Sequence, residues 1–233
     1  MNWFPISAIA FLAMLPAFAS APAGYVDPAV CAGCHTQVAK HYRQTAMAKS
    51  FFRPRQENTI EDYEKNNVFY HAASDRYYQT YRKAGKYYQL RYQIGLDGKK
   101  TNVVEKEIHY VMGSGNHART YLHQTPSGVL LQLPVGWYAE DGGHWAMSPG
   151  YDRPDHWDFR LQISYDCMFC HNAYPSVRAD AGATQTEPAF TDELPEGIDC
   201  QRCHGPGQSH VQAVRNGNTE LTHKSIVNPA GLT

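Results

Sequence analysis

The stretch CQRCHGPGQSH at residues 200–210 determines how the rest of the chain is interpreted. It has two cysteines three positions apart, a histidine directly after the second cysteine, and another histidine six positions later. On one helical turn, residues i and i+3 project to the same side, so the thiols of Cys200 and Cys203 face one partner. The imidazole of His204 lies over the same face. The stretch therefore predicts a helical turn that offers two thiols and one imidazole to a single bound group.

The same pattern occurs twice more. Residues 31–35 read CAGCH and residues 167–171 read CMFCH, so all 6 cysteines belong to three C-x-x-C-H motifs. This is the attachment motif of c-type haem, in which the thiols bond to the haem and the histidine binds its iron as the proximal ligand. The predicted cofactor-binding residues are Cys31, Cys34, Cys167, Cys170, Cys200 and Cys203. The predicted proximal ligands are His35, His171 and His204.

Two other uses of cysteine pairs compete with haem attachment. A tetrahedral zinc site needs four ligands, and three C-x-x-C pairs do not divide evenly among such sites. Three disulfides are compatible with an exported chain, but they do not require a histidine after each pair. With 12 histidines in 233 residues, three such placements by chance have odds on the order of 10⁻⁴. The sequence therefore predicts three covalently bound haem c groups, each with its iron.

The N-terminus has the pattern of a secretion signal. The run from Ile6 to Phe18 is almost wholly apolar, and residues 17–19 form an A-x-A cleavage site. No Lys or Arg precedes the run, so an uncleaved anchor is the alternative, although the run is short for a bilayer span. We expect cleavage after Ala19 and export to the periplasm or the exterior of a bacterium.

The composition after the signal is unusual for a globular domain. Leu, Ile, Val and Phe make up about 16% of residues 20–233, a level typical of disordered chains when the net charge is high. Here 21 basic residues balance 22 acidic ones, and 16 tyrosines are present. Such a chain is expected to gain apolar surface from its cofactors. Its charge balance argues against nucleic acid as a partner.

Local signals predict helices around the first and third motifs. Asp27 is a suitable N-cap and Pro28 a suitable first helical residue. The helix that starts there is expected to run through the first motif to about Met47. Ser209 is expected to cap a short helix that ends at Gly217.

A haem-free antiparallel sheet of three to five strands is predicted between the first and second motifs. Alternation with polar residues predicts a strand whose buried face carries Tyr88, Leu90, Tyr92 and Ile94. Asp97-Gly98 marks a hairpin turn after it. Further strands are expected at residues 77–83, 101–112 and 129–135. No strand is predicted in residues 136–158, which are rich in Gly, Trp, His and Pro.

These elements predict an α+β fold, in which haem-rich helical or irregular multihaem cytochrome c packing carries an inserted antiparallel β-sheet. Residues 1–19 are the signal peptide, and residues 20–67 are the first haem-binding segment. Residues 68–160 are the β-rich insertion. Residues 161–233 carry the second and third haems and are expected to form one compact haem domain with residues 20–67.

Both ends of the chain resemble the cytochrome c-554/c-prime-like multihaem family. In residues 31–50 the first motif is followed by YRQTAMA, and residues 200–210 match the pattern C-x-x-C-H-G-P-G-x-x-H. Residues 113–151 look like longer multihaem members of that group. The resemblance implies that His210 is a distal iron ligand, and it places Met47 where the family usually has histidine. If those longer members are the right model, the resemblance also implies that this chain is truncated.

Three irons require distal ligands, and three residues are the main candidates. His210 is the first, because of its position after the Gly-Pro-Gly turn. His117 lies in a glycine-rich loop whose backbone can approach a haem closely, although it could equally bond to backbone. Met47 has a thioether, which is a competent haem ligand, although core packing is the commoner role of methionine. His144 and Met147 are held in reserve.

Electron transfer is the function that these features favour. Several haems on a short chain lie close together and can pass electrons between them. The expected partners are other redox proteins that act as donor and acceptor, and association with a larger multihaem assembly or membrane complex is also expected. The alternatives are a multihaem reductase of a small nitrogen or oxygen species and a binding module with structural haems. No catalytic residue is assigned.

Overall fold

The computed structural model describes residues 23–178 and 188–232, which form two antiparallel sheets flanked by short helices. The predicted signal peptide lies outside the described residues. The helices are α1 (Pro28–Cys34), α2 (Thr36–Tyr42), α3 (Tyr165–His171), α4 (Gln201–His204), α5 (Gln208–Arg215) and α6 (Thr219–Lys224). The strands are β1 (Phe51–Phe52), β2 (Val68–His71), β3 (Arg76–Lys83), β4 (Lys86–Ile94), β5 (Lys100–Ile108), β6 (Tyr110–Met112), β7 (Ala118–Gln124), β8 (Leu130–Gln132), β9 (Val135–Tyr138) and β10 (His144–Met147).

The first sheet has four strands in the order β2-β3-β4-β5, joined by short hairpins. The β3–β4 turn consists of Ala84 and Gly85, which both have positive φ (50° and 77°). A two-residue hairpin turn of this kind matches the right-handed twist of the strands that it joins. In the β4–β5 turn, Gly98 has a φ of 76° and the Gly95 amide donates to the Lys99 carbonyl at 2.8 Å. The hairpin turn predicted at Asp97-Gly98 is confirmed.

The buried face of β4 differs from the prediction. Tyr87 and Gln89 are buried. The pairing with β5 shifts register between Arg91 and Gln93, and Tyr92, which lies at the shift, is also buried. The positions wrongly predicted to be buried are Tyr88, Leu90 and Ile94. Gln89 is fully buried because its side-chain amide donates to the Val135 carbonyl at 3.0 Å and accepts from the Val135 amide at 3.1 Å. This polar side chain thus bridges the two sheets, and period-two hydropathy does not reveal it.

The second sheet has the order β1-β6-β7-β9-β10, and β8 pairs with β7. Strand β1 lies inside the predicted first haem segment but pairs with β6. Strands β7, β9 and β10 were not predicted, so the expected total of three to five strands was too low. The stretch of residues 136–158 forms strands because Trp137 and Trp145 pack against each other in the core, with ring centroids 5.1 Å apart.

The predicted α+β class and the antiparallel sheets are confirmed. The described residues do not form the predicted haem-rich helical packing. The helices are four to eight residues long, and each buries at most one side chain. Asp27 caps α1 through a 2.8 Å bond from the Ala29 amide, as predicted. However, the chain leaves helical geometry at His35, and α2 ends at Tyr42 instead of Met47. The N-cap of α5 is Gly207 instead of Ser209.

Candidate functional site

The first and third motifs lie against each other, although most of the chain separates them. The Gln201 side chain is buried in the third motif, where its amide nitrogen donates to the Val26 carbonyl at 2.7 Å. Its amide oxygen accepts from the Val26 and Gly207 amides at 2.9 and 3.1 Å. The Tyr42 hydroxyl, at the end of α2, donates to the Ile198 carbonyl at 2.9 Å. These bonds connect the third motif to the segment that precedes α1 and to the end of α2.

The third motif also contacts the second. The Arg202 guanidinium lies over the rings of Phe169 and Tyr174, at 4.3 and 4.2 Å from their centroids. It donates to the carbonyls of Asn172, at 3.3 Å, and Ala173. These two residues directly follow the second motif. All three C-x-x-C-H motifs are therefore brought together around α4.

The imidazole rings of His35 and His210 are close neighbours. Their ring centroids are 6.3 Å apart and their planes are inclined by 21°. A metal–imidazole nitrogen bond is about 2.0–2.1 Å long. The C–N bond length of about 1.33 Å places a ring nitrogen about 1.1 Å from its centroid, so two imidazoles on opposite sides of one metal have centroids about 6.3 Å apart. The observed separation of the two rings therefore equals the one expected for an axial pair on a single iron.

Backbone carbonyls orient two of the candidate ligands. Nδ1 of His204 lies 2.9 Å from the Val227 carbonyl oxygen, and Nδ1 of His210 lies 2.9 Å from that of Thr222. A carbonyl only accepts, so Nδ1 carries a proton in both rings, and in the neutral imidazole the lone pair is then on Nε2. This is the tautomer that a metal requires at Nε2. Thr222 lies near the C-terminus of α6, where helical carbonyls lack partners within the helix.

All six thiols are free, and four of them (Cys34, Cys167, Cys170 and Cys203) are exposed. Burial is the main cause that raises the pKa of the Cys31 and Cys200 thiols, and Asp199 adds to it at both. The disulfide alternative is not realised in this structure. Among the described residues, no three His, Cys, Asp or Glu side chains converge as a zinc site requires.

The second motif is linked to the loop that carries His117. The Ser50 hydroxyl donates to the His171 carbonyl at 2.7 Å, and the Gly113 amide donates to the Ser50 carbonyl, also at 2.7 Å. Burial lowers the pKa of the His171 imidazole. The His117 side chain is exposed at the other end of the loop, and its carbonyl accepts from the Ala139 amide at 2.8 Å. The loop starts beside the second motif, but no contact assigns His117 to an iron.

The remaining distal candidates lie elsewhere. Met47 is 49% exposed in the turn after α2, and its carbonyl accepts from the Ile198 amide at 3.1 Å. Since His210 lies beside His35, Met47 stays a predicted ligand only for the haems expected at the second and third motifs. The ring of His144 lies nearly parallel to that of Tyr138 at 5.8 Å, and Met147 is buried in the aromatic core.

Sequence reasoning missed the residues that join the motifs. Gln201 and Arg202 occupy the two variable positions of C-x-x-C-H, where the attachment chemistry imposes no residue type. The carbonyls of Thr222 and Val227 leave no signature in side-chain identity. The proximity of His210 to His35 could not be predicted from their positions in the sequence, because it depends on how α5 packs.

Comparisons with known proteins found no relative of this chain. No family model, no curated protein and no solved structure matches the chain. The described part of the chain contains no helix that is long and apolar enough to cross a membrane.

Proposed function

We propose that the protein is an exported electron-transfer cytochrome with three covalently attached c-type haems. The observation that carries the proposal is the His35–His210 pair, whose 6.3 Å separation and nearly parallel planes suit two axial ligands of one iron. This pair joins the first motif to the segment that follows the third. The six unpaired thiols, of which each motif exposes at least one, are consistent with haem attachment.

The residues of the chain have distinct tasks in this proposal. The six thiols would hold the haems through thioether bonds, and His35, His171 and His204 would each bind an iron through an imidazole nitrogen. His210 would provide a second imidazole for the haem that His35 holds. The Val227 and Thr222 carbonyls hold His204 and His210 in the binding tautomer and fix the orientation of their rings. The bound haems supply the one-electron chemistry.

The close packing of the motifs supports transfer between haems. Gln201 ties the third motif to the first, and Arg202 ties it to the second. Haems attached to motifs in such contact are near neighbours and can exchange electrons. The proposed partners are an electron donor and an electron acceptor outside the cytoplasm, in keeping with the predicted signal peptide.

One observation favours a second candidate function. Among the described residues, His35 is the only one of the three motif histidines whose ring lies close to the ring of another histidine. An iron on His171 or His204 without a distal ligand would be open to a small nitrogen or oxygen species. A multihaem reductase is therefore the second candidate.

Intact mass and spectroscopy of the mature protein test the proposal. The mass should exceed that of the cleaved chain by three haems, and a smaller excess contradicts it. The variant His210→Ala should convert one haem to a high-spin form that binds CO when reduced. His223→Ala, which changes an exposed imidazole on α6, is the control and should keep the wild-type spectrum. An unchanged spectrum in His210→Ala would exclude His35 and His210 as an axial pair. High-spin haem in the wild type would favour the reductase.

A further inference from the structure

Arg202 connects equivalent positions of two haem motifs. It precedes Cys203 in the third motif, as Phe169 precedes Cys170 in the second. The guanidinium lies between the rings of Phe169 and Tyr174, and it donates to the two carbonyls that follow His171. Planar stacking combined with several directed donors is specific to arginine, because a lysine ammonium cannot provide both.

The charge of Arg202 is balanced by no direct ion pair among the described residues. Its contacts are ring faces and neutral carbonyls, and its Nε is buried without a hydrogen-bond partner. The nearby Asp199 carboxylate is bonded to the backbone amides of Gln201 and Arg202, at 2.9 and 3.2 Å. A permanent positive charge therefore lies where the second and third motifs meet.

We propose that Arg202 is a positioning residue that fixes the second haem against the third and raises the reduction potentials of both. The inference rests on the proposed function. Reduction removes one positive charge from an iron, so a nearby fixed cation favours the reduced form. The haem of the first motif, which Arg202 does not contact, should respond least.

Redox titration of Arg202→Gln and Arg202→Lys separates charge from packing. Arg202→Gln should lower two of the three potentials and leave the third close to its wild-type value. Arg202→Lys keeps the charge, so its potentials should stay closer to wild type. Both variants should unfold at a lower temperature because stacking and paired donation are lost. A purely structural role would change the unfolding temperature and leave the potentials unmoved.

A second pair of variants leaves Arg202 in place. Phe169 is 54% exposed, so a polar side chain is tolerated there. Phe169→Glu places a carboxylate against the guanidinium and should lower the same two potentials. Phe169→Gln has nearly the same shape without the charge and should not. This pair decides the question if Arg202→Gln fails to mature.

The inference is overturned if Arg202→Gln or Phe169→Glu carries all its haems and keeps all three potentials. It is also overturned if the Gln and Glu variants at position 169 shift the potentials equally, because packing would then be the cause. Failure of the proposed function would look different: wild-type protein from a competent host would carry no haem mass and show no redox waves.

Discussion

The two parts of the molecule are stabilised in different ways. The β region, residues 51–163, has a core of large aromatic side chains, and its fully buried residues include Tyr78, Tyr110, Tyr121 and Tyr151. The motif region comprises residues 23–50, 164–178 and 188–232. Its six helices bury only three side chains, those of Met168, Gln201 and Ala213. The motif region buries fewer large side chains, and Met168, Phe190 and Leu194 pack against residues of the β region such as Leu122. The β region is therefore stabilised by its own core, whereas the motif region depends on packing against that core, on hydrogen bonds and, in our proposal, on its haems.

The largest expected effect comes from removing one haem attachment. Cys200→Ser combined with Cys203→Ser should leave the mature protein one haem short. The motif region should become sensitive to protease, because its short helices bury only three side chains, while the β region stays resistant. Limited proteolysis with mass mapping checks this. Ser209→Ala, in the same segment, is the control. If the motif region of the double variant stayed resistant to protease, the proposed difference between the two regions would be contradicted.

A buried ion pair tests the other side of the comparison. Arg119 and Glu61 are 3.0 Å apart with side chains 6% and 2% exposed, and the Tyr121 hydroxyl donates to the same Glu61 oxygen at 2.6 Å. Glu61→Gln leaves the guanidinium uncompensated, so the free energy of unfolding should fall by about 3–5 kcal/mol. Haem spectra should not change. Denaturant unfolding followed by circular dichroism measures the effect.

The matched control is Glu64→Gln, which removes the carboxylate from an exposed pair with Arg82. Exposed pairs contribute roughly 0–1 kcal/mol, so this change should be small. Equal losses in the two variants would show that the β region does not depend on its buried network.

A smaller effect is expected from pH. Burial, followed by the Arg76 guanidinium, lowers the pKa of His156 to about 4. The unfolded chain takes up a proton near pH 6.5, whereas the folded β region does not until about pH 4. Stability should therefore fall as the pH drops through this window, by up to about 3 kcal/mol.

Unfolding measured from pH 7 to pH 4 gives this slope. His156→Gln should flatten it, even if the variant is less stable at every pH. His144→Gln, which replaces an exposed histidine of the β region, should keep the wild-type slope. An unchanged slope in His156→Gln would assign the acid sensitivity to other groups, such as His109 and His123, whose pKa values are also lowered by burial.

Local chemistry could be predicted from the sequence where it depends on neighbouring residues. The Asp27 cap and the Asp97-Gly98 turn are determined within a few positions, and the thiol and imidazole spacing within five. The β4 face could not be predicted, because Gln89 is buried by a partner 46 positions away. The link through Arg202 arises only from tertiary packing, so no local pattern reports it.

The bonds between Val26 and Gln201 have a consequence for the order of assembly. They close a loop of 175 residues, and contacts of such long range form late because the chain entropy of closure opposes them. His210 is equally remote from His35. During synthesis and export, therefore, the first haem would be held at first by Cys31, Cys34 and His35 alone. If the proposed haem is bound, its coordination would be completed only when the C-terminal segment arrives.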